Sequence, residues 1–99
     1  MLTVEISGDA AVTRVALAGE LDLDSKALLA QAVLEAPAKV VELDLAALTY
    51  CDSAGIGALV TAQREARDDG RALYLVNVGG MVQTILQVSG VLTELTRRA

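Results

Sequence analysis

Histidine, tryptophan and phenylalanine are absent from the 99-residue sequence, and cysteine and proline occur once each. Without histidine, the lone thiol of Cys51 has no partner for a zinc site, and a single cysteine cannot form a disulfide within the chain. The histidine-based nucleophile and base pairs of many hydrolases are excluded as well. Because a free thiol suits a reducing compartment, we predict a cytoplasmic protein.

Long apolar runs and clusters of basic residues are also lacking. No uncharged stretch approaches the roughly 20 apolar residues that span a bilayer, and the opening residues lack the basic and apolar regions of a signal peptide. The net charge of -5 opposes binding to nucleic acid, whose phosphates attract basic surfaces. We therefore expect no membrane and no nucleic-acid partner, and we expect protein partners with basic surfaces.

Aliphatic residues, by contrast, are abundant. Hydrophobic residues make up 54% of the chain, but only two residues are aromatic, both tyrosine, so Leu, Val, Ile and Ala must build the core. The length suits one small domain. We predict a single domain over residues 1–99 that is a monomer when free.

The spacing of the apolar residues predicts the secondary structure. Alternation indicates strands, and apolar residues three and four apart indicate helices. Asp24 or Ser25 is expected to cap the first helix, and Pro37 to end it. In chain order the predicted elements are strands over 3–7 and 12–18, the helix that ends at Pro37, a strand over 40–45, a connection over 46–51, a helix over 53–68, a strand over 72–76, a helix over 80–88 and an edge strand over 91–96.

This order predicts an α/β fold with a mixed sheet of four to five strands and helices packed mainly on one face. The nearly all-apolar segment 72–76 is expected at the centre of the sheet. Ligand and partner sites in such folds lie at the carboxyl ends of strands. Asp22 and the segment 50–53 both follow predicted strands, so this edge of the sheet is the candidate site.

Two glycines, Gly55 and Gly57, fall in the first turn of the helix predicted over 53–68. Glycine in a helix costs about 1 kcal/mol relative to alanine, so both need a reason such as tight packing or contact with a partner. Ser53 is predicted to be the N-cap, where the helix dipole favours added negative charge. A phosphate on Ser53, near Asp52 and Asp22, would complete a cluster of three acidic groups. Ser53 as a simple cap is the alternative, and spacing alone does not decide between the two.

Three segments resemble known motifs. Residues 43–59 read Leu-Asp-Leu-Ala-Ala-Leu-Thr-Tyr-Cys-Asp-Ser-Ala-Gly-Ile-Gly-Ala-Leu and resemble the signature of STAS domains of the anti-sigma factor antagonist family, in which an apolar strand leads into Asp-Ser-x-Gly-hydrophobic-Gly. Residues 19–22, Gly-Glu-Leu-Asp, resemble the family's Gly-Glu-hydrophobic-Asp segment. Residues 88–91, Val-Ser-Gly-Val, resemble its Ser-Gly-hydrophobic segment near the C-terminus. Together the motifs are spread in order over residues 19–91.

The resemblance implies an anti-sigma factor antagonist without catalytic activity or a cofactor of its own. In that family the anti-sigma factor, a serine kinase of the histidine-kinase-like ATPase type, phosphorylates the serine found here as Ser53. The unphosphorylated protein binds the anti-sigma factor and frees the sigma factor; phosphorylation breaks that complex, and a PP2C-type phosphatase restores it. The implied partner-binding residues are Asp22, Asp52, Ser53, Ala54, Gly55, Ile56 and Gly57.

The sequence departs from the family pattern in three places. Relatives often carry a further C-terminal helix, whereas this sequence leaves room for only the last strand or one short turn, which calls into question any partner contact made by such a helix. Ala54 stands where some relatives have Ser or Thr, which removes a second acceptor. Cys51 occupies a usually apolar position and is interpreted as a core residue.

Two other functions stay open. A STAS scaffold or regulatory subunit of a lipid-transport ATPase complex or a stress-signalling assembly would use the same surface without obligatory phosphorylation. An enzyme that uses Asp22, Asp24 and Asp52 as acid, base or Mg²⁺ ligands is disfavoured, because no nucleophile and base pair accompanies them.

Overall fold

Four strands and four helices make up the described part of the chain, residues 1–97 of a computed structural model. In chain order the elements are β1 (Leu2–Gly8), β2 (Val12–Leu21), α1 (Lys26–Glu35), β3 (Val40–Cys51), α2 (Ser53–Asp68), β4 (Ala72–Val76), α3 (Gly80–Val88) and α4 (Leu92–Thr96). The strands form one sheet in the order β1-β2-β3-β4, in which β1 is antiparallel to β2 and the two other pairs are parallel. The predicted α/β fold with a mixed sheet is confirmed.

One face of the sheet is buried beneath the helices, and the other faces solvent. Val15, Leu43 and Leu75 lie in register on β2, β3 and β4, and at most 2% of each is exposed. Because side chains alternate along a strand, the residues one position earlier point to the other face. Two of these, Arg14 and Glu42, form an ion pair of 2.9 Å there. The helices therefore pack on one face of the sheet, as predicted.

The three predicted helices are confirmed. α1 ends at Glu35, just before Pro37, because proline cannot continue a helix. The bounds of α2 and α3 agree with the predicted ranges, 53–68 and 80–88. Within residues 1–97, no helix combines the length and the apolar character that crossing a membrane requires.

β3 is longer than predicted. It includes the segment 46–51, for which a connection was the expectation, and that prediction is wrong. Buried and exposed residues do not alternate regularly in this segment, because the register between β2 and β3 shifts at two irregularities. Pairing nevertheless continues to Leu21 and Cys51, so both strands end at the same edge of the sheet.

The C-terminal segment forms a helix and not the predicted edge strand over 91–96. Gly90, with φ of +77°, follows the end of α3, and α4 places Leu95 in the core with 1% exposed. The Thr96 hydroxyl donates to the Leu92 carbonyl at 2.8 Å within this helix. Since residues 1–97 contain no fifth strand, β4 lies at an edge of the sheet, and its predicted central position is wrong.

Candidate functional site

The carboxyl ends of β2 and β3 lie side by side. Leu21 and Cys51 are the last residue pair, and the N–H of Asp52 donates to the Leu21 carbonyl at 3.4 Å. The turn that begins at Asp22 is therefore a neighbour of Ser53, the first residue of α2. This agrees with the prediction that the two strands meet at one edge.

Asp52, and not Ser53, is the N-cap of α2. A carboxylate oxygen of Asp52 accepts a hydrogen bond from the Gly55 N–H at 2.9 Å, and the Asp52 carbonyl accepts from the Ile56 N–H at 2.9 Å. The predicted cap is thus wrong by one residue, because a carboxylate in extended backbone just before the helix satisfies the first turn. The hydroxyl of Ser53 is exposed and makes no hydrogen bond to another residue within 1–97.

Gly55 and Gly57 have different surroundings. A Cβ added to Gly55 would collide with the Leu21 carbonyl oxygen and come within 2.7 Å of the Cys51 sulfur, so Gly55 permits the close approach of α2 to the strand ends. A Cβ added to Gly57 would meet no atom within 4 Å. Tight packing therefore explains the buried Gly55, whose part in any partner surface is indirect. The exposed Gly57 has no packing reason within residues 1–97.

Asp22 organises the turn between β2 and α1. One of its carboxylate oxygens accepts from the N–H groups of Asp24 and Ser25, both at 3.1 Å, and from the Ser25 hydroxyl at 3.0 Å. Ser25 is the N-cap position of α1, although its own side chain makes no capping hydrogen bond. Asp22 therefore has a structural role in this turn, and its side chain is still partly exposed.

The potential at this edge is negative. The Met1 ammonium bonds a Glu20 carboxylate oxygen at 2.7 Å, and this hydrogen bond raises the pKa of the ammonium. The negative charges of Glu20, Asp22 and Asp24 raise that pKa further. Within residues 1–97, no three Cys, Asp or Glu side chains are arranged to hold a metal ion.

Cys51 lies beneath the start of α2. It is fully buried, and burial, followed by the charge of Asp52, raises the pKa of its thiol to about 11. A thiol with such a pKa is protonated at neutral pH and is a poor nucleophile. The interpretation of Cys51 as a core residue is confirmed.

Two exposed apolar side chains lie next to this site and were not among the predicted contact residues. Leu23 follows Asp22 and is 64% exposed, and Tyr50 precedes Cys51 and is 40% exposed. The available signal for Leu23 was its position between two aspartates, outside any periodic pattern. Single exposed apolar side chains are common on protein surfaces, so their relevance here is their place beside Asp22 and Asp52.

Residues 4–96 match the family model described as "Mlab, STAS domain". The chain belongs to the STAS domain family. The resemblance predicted from three sequence motifs is thereby confirmed. A search among curated proteins finds no significant match to the chain.

Solved STAS structures share the fold of this chain. The anti-sigma factor antagonist SpoIIAA in its unphosphorylated form is 22% identical, with a TM-score of 0.73 over 98% of this chain and 88% of that chain. An anti-sigma factor antagonist from Mycobacterium paratuberculosis is 21% identical, with a TM-score of 0.78 over 97% and 83%. The murine anion transporter Slc26a9 is 22% identical, with a TM-score of 0.73 over 89% of this chain but 15% of that chain. The STAS fold thus occurs both in free-standing regulators and within a membrane transporter.

Proposed function

We propose that this STAS domain is an anti-sigma factor antagonist whose binding to an anti-sigma factor is switched off by phosphorylation of Ser53. The observation that carries the proposal is the Ser53 hydroxyl, which is exposed at the first residue of α2 while Asp52 performs the capping. A hydroxyl that the fold does not use is accessible to a kinase. Its modification does not disrupt a capping bond.

A phosphate at Ser53 is compatible with folding. The first helical hydrogen bond to the N-cap carbonyl comes from the Ile56 N–H, so the N–H groups of Ser53 and Ala54 precede the regular ladder. Helix N-termini favour negative charge through these N–H groups and the helix dipole. We therefore expect phosphorylation to leave the fold intact.

Binding, by contrast, is sensitive to the phosphate. Phosphoserine adds roughly -1.5 to -2 charges beside Asp52 and near Asp22, on an edge that is already acidic. Burying that charge against a partner without matched cations costs several kcal/mol. In our proposal a partner covers the exposed side chains of Leu23 and Tyr50 and the exposed part of Ile56, which also packs against the core.

The chemistry of the switch belongs to the partners. In our proposal the anti-sigma factor is a serine kinase of the histidine-kinase-like ATPase type, and a PP2C-type phosphatase reverses its action in the cytoplasm. The structural neighbour SpoIIAA is described in both unphosphorylated and phosphorylated forms, which supports this class of switch for the present chain.

The decisive experiment is phosphorylation by anti-sigma kinases from the same organism. The protein is incubated with each kinase and Mg-ATP, and intact mass and peptide mapping follow. We expect one phosphate on Ser53, none in Ser53→Ala, and normal modification of Thr61→Ala, a matched change of another exposed hydroxyl on α2. An unmodified protein, in the presence of kinases that phosphorylate another antagonist, would contradict the proposal.

A second function is supported by the comparisons. The family model carries the name Mlab, and the fold also occurs in the transporter Slc26a9. A STAS subunit of a lipid-transport ATPase complex or of a stress-signalling assembly would use the same edge by constitutive binding. Such a subunit would bind its partner equally well before and after Ser53 is changed to aspartate.

A further inference from the structure

α1 is apolar on more sides than its packing requires. Its buried residues, Leu29, Ala32 and Val33, face the core, yet Leu34 on the outer side is 73% exposed and Leu28 is 44% exposed. α2, in contrast, has charged residues on its outer face. Lys26, Gln31 and Glu35 are the exposed polar residues of α1, so its surplus apolar surface is that of Leu28 and Leu34.

A groove lies between α1 and the second half of α2. It encloses about 240 Å³, and its apolar wall includes Ala30 and Leu34 from α1 and Ala66 from α2. The exposed carboxylates of Glu65 and Asp69 stand at its α2 side. The groove thus joins an apolar wall to an acidic rim.

Arg71 also lines the groove, but its guanidinium points into the fold. The guanidinium donates to three carbonyl oxygens at 2.6 to 3.1 Å, those of Val33 in the last turn of α1 and of Ala36 and Ala38 just after it. Glu65 and Asp69 take no part in these bonds and face solvent. The surface offered to a partner is therefore apolar and acidic.

We propose that the α1–α2 groove binds an amphipathic helix of a partner protein that carries leucine-like side chains flanked by lysine or arginine. Leucine-like side chains bury the exposed face of Leu34, and the flanking cations pair with Glu65 and Asp69. A second copy of this chain is a poor occupant, since it brings the same acidic rim and a net charge of -5. An anionic membrane is opposed by the same charges.

The groove is separate from the Ser53 site. Glu65 follows Ser53 by 12 residues on α2. At 1.5 Å per residue this is about 18 Å along the helix axis. The inference therefore does not depend on the function proposed for Ser53.

The test uses a synthetic helical peptide with a leucine face flanked by lysine and arginine, titrated into the ¹⁵N-labelled protein. We expect amide shifts confined to the outer part of α1 and the second half of α2. Leu34→Gln is expected to weaken binding roughly tenfold. Val88→Gln changes another side chain that is 83% exposed, on α3, and should leave affinity unchanged.

Four further measurements address the charges, the alternatives and the integrity of the fold. A Glu65→Lys, Asp69→Lys double variant is expected to bind roughly fivefold more weakly, with a smaller dependence on salt. A copy of the peptide with glutamate flanks should bind poorly, and Ser53→Asp should bind the basic peptide like the parent. Unchanged melting of Leu34→Gln checks that the fold is intact.

Several results would overturn the proposal. These are equal affinity for the two peptides, shifts centred on Ser53, or undiminished binding by Leu34→Gln. A dimer seen by sedimentation and abolished by Leu34→Gln would assign the groove to a second copy. Tighter binding to phosphatidylglycerol vesicles than to the peptide would assign it to a membrane surface.

Discussion

Two junctions in this STAS domain are built on the same plan but use their serines differently. β2 leads through Asp22 and Ser25 into α1, and β3 leads through Asp52 and Ser53 into α2. At the first junction the Ser25 hydroxyl lies 3.0 Å from both the Glu20 carbonyl and an Asp22 carboxylate oxygen, and it donates its one hydrogen to either of them. At the second junction Asp52 caps α2, and the Ser53 side chain takes no part in the cap.

An aspartate and a serine at a strand end therefore do not define a role by themselves. Ser25 is used by the turn, whereas the hydroxyl of Ser53 makes no bond within residues 1–97 and stays exposed. A hydroxyl outside the local network is the one whose modification alters a surface and leaves the fold intact. Four predictions test this contrast.

The largest effect is expected at Ser53 itself. In the proposed complex with an anti-sigma factor, Ser53→Asp should bind roughly a hundredfold more weakly than the parent, because it brings uncompensated charge into the interface. Isothermal titration calorimetry measures the affinity. Ser53→Asn serves as the neutral control of similar size and should bind like the parent. Equal affinity of the two variants would falsify the switch.

The next largest effect is expected on stability at Gly55, where α2 lies close to the ends of β2 and β3. Gly55→Ala should lower the free energy of unfolding by about 2–3 kcal/mol, because the added methyl collides with the Leu21 carbonyl and the Cys51 sulfur. Gly57→Ala should raise it by up to about 1 kcal/mol, since its methyl meets no atom within 4 Å. Urea denaturation measures both. A similar response of the two variants would remove the distinction between packing and surface glycines.

The ends of β2 and β3 differ in chemistry. Leu21 ends β2 and cannot ionise, whereas its partner Cys51 ends β3 and carries a thiol that can. The pKa of this thiol is raised from its ordinary value of 9.0 to about 11 in the folded protein. The unfolded chain therefore loses its proton first as the pH rises. Stability should fall by roughly 2 kcal/mol between these two pKa values and then level off.

The control for this pH effect is Cys51→Ala, which has no thiol to ionise. Denaturation of both proteins over the alkaline range isolates the contribution of Cys51 as a difference. Parallel curves for the two proteins would show that the thiol ionises equally in the folded and unfolded states.

The smallest expected effect is the difference in stability between alanine variants of the two serines. Ser25→Ala should lose about 1 kcal/mol of stability, because Asp22 and the Glu20 carbonyl lose a hydrogen-bond partner. Ser53→Ala should change stability by less than about 0.5 kcal/mol. Thermal unfolding compares the two variants directly. A larger loss in Ser53→Ala than in Ser25→Ala would return Ser53 to a structural role.

The regular helices were predictable because their determinants are local. α2 and α3 begin and end where apolar spacing and adjacent turn residues indicate. The strand predicted over residues 91–96 was wrong because the structure of this segment depends on a contact with distant residues. Its β-branched residues favour a strand, yet burial of Leu95 against the core holds it as a helix.

The order of the main elements, the family motifs and the exclusion of histidine and disulfide chemistry follow from the sequence alone, because they depend on composition and on neighbours along the chain. The tertiary structure extends β3 to Cys51, places β4 at an edge of the sheet and makes Asp52 the cap of α2. It also separated Gly55 from Gly57 and left Leu34 exposed. These features depend on which distant atoms come into contact, and local spacing carries no information about that.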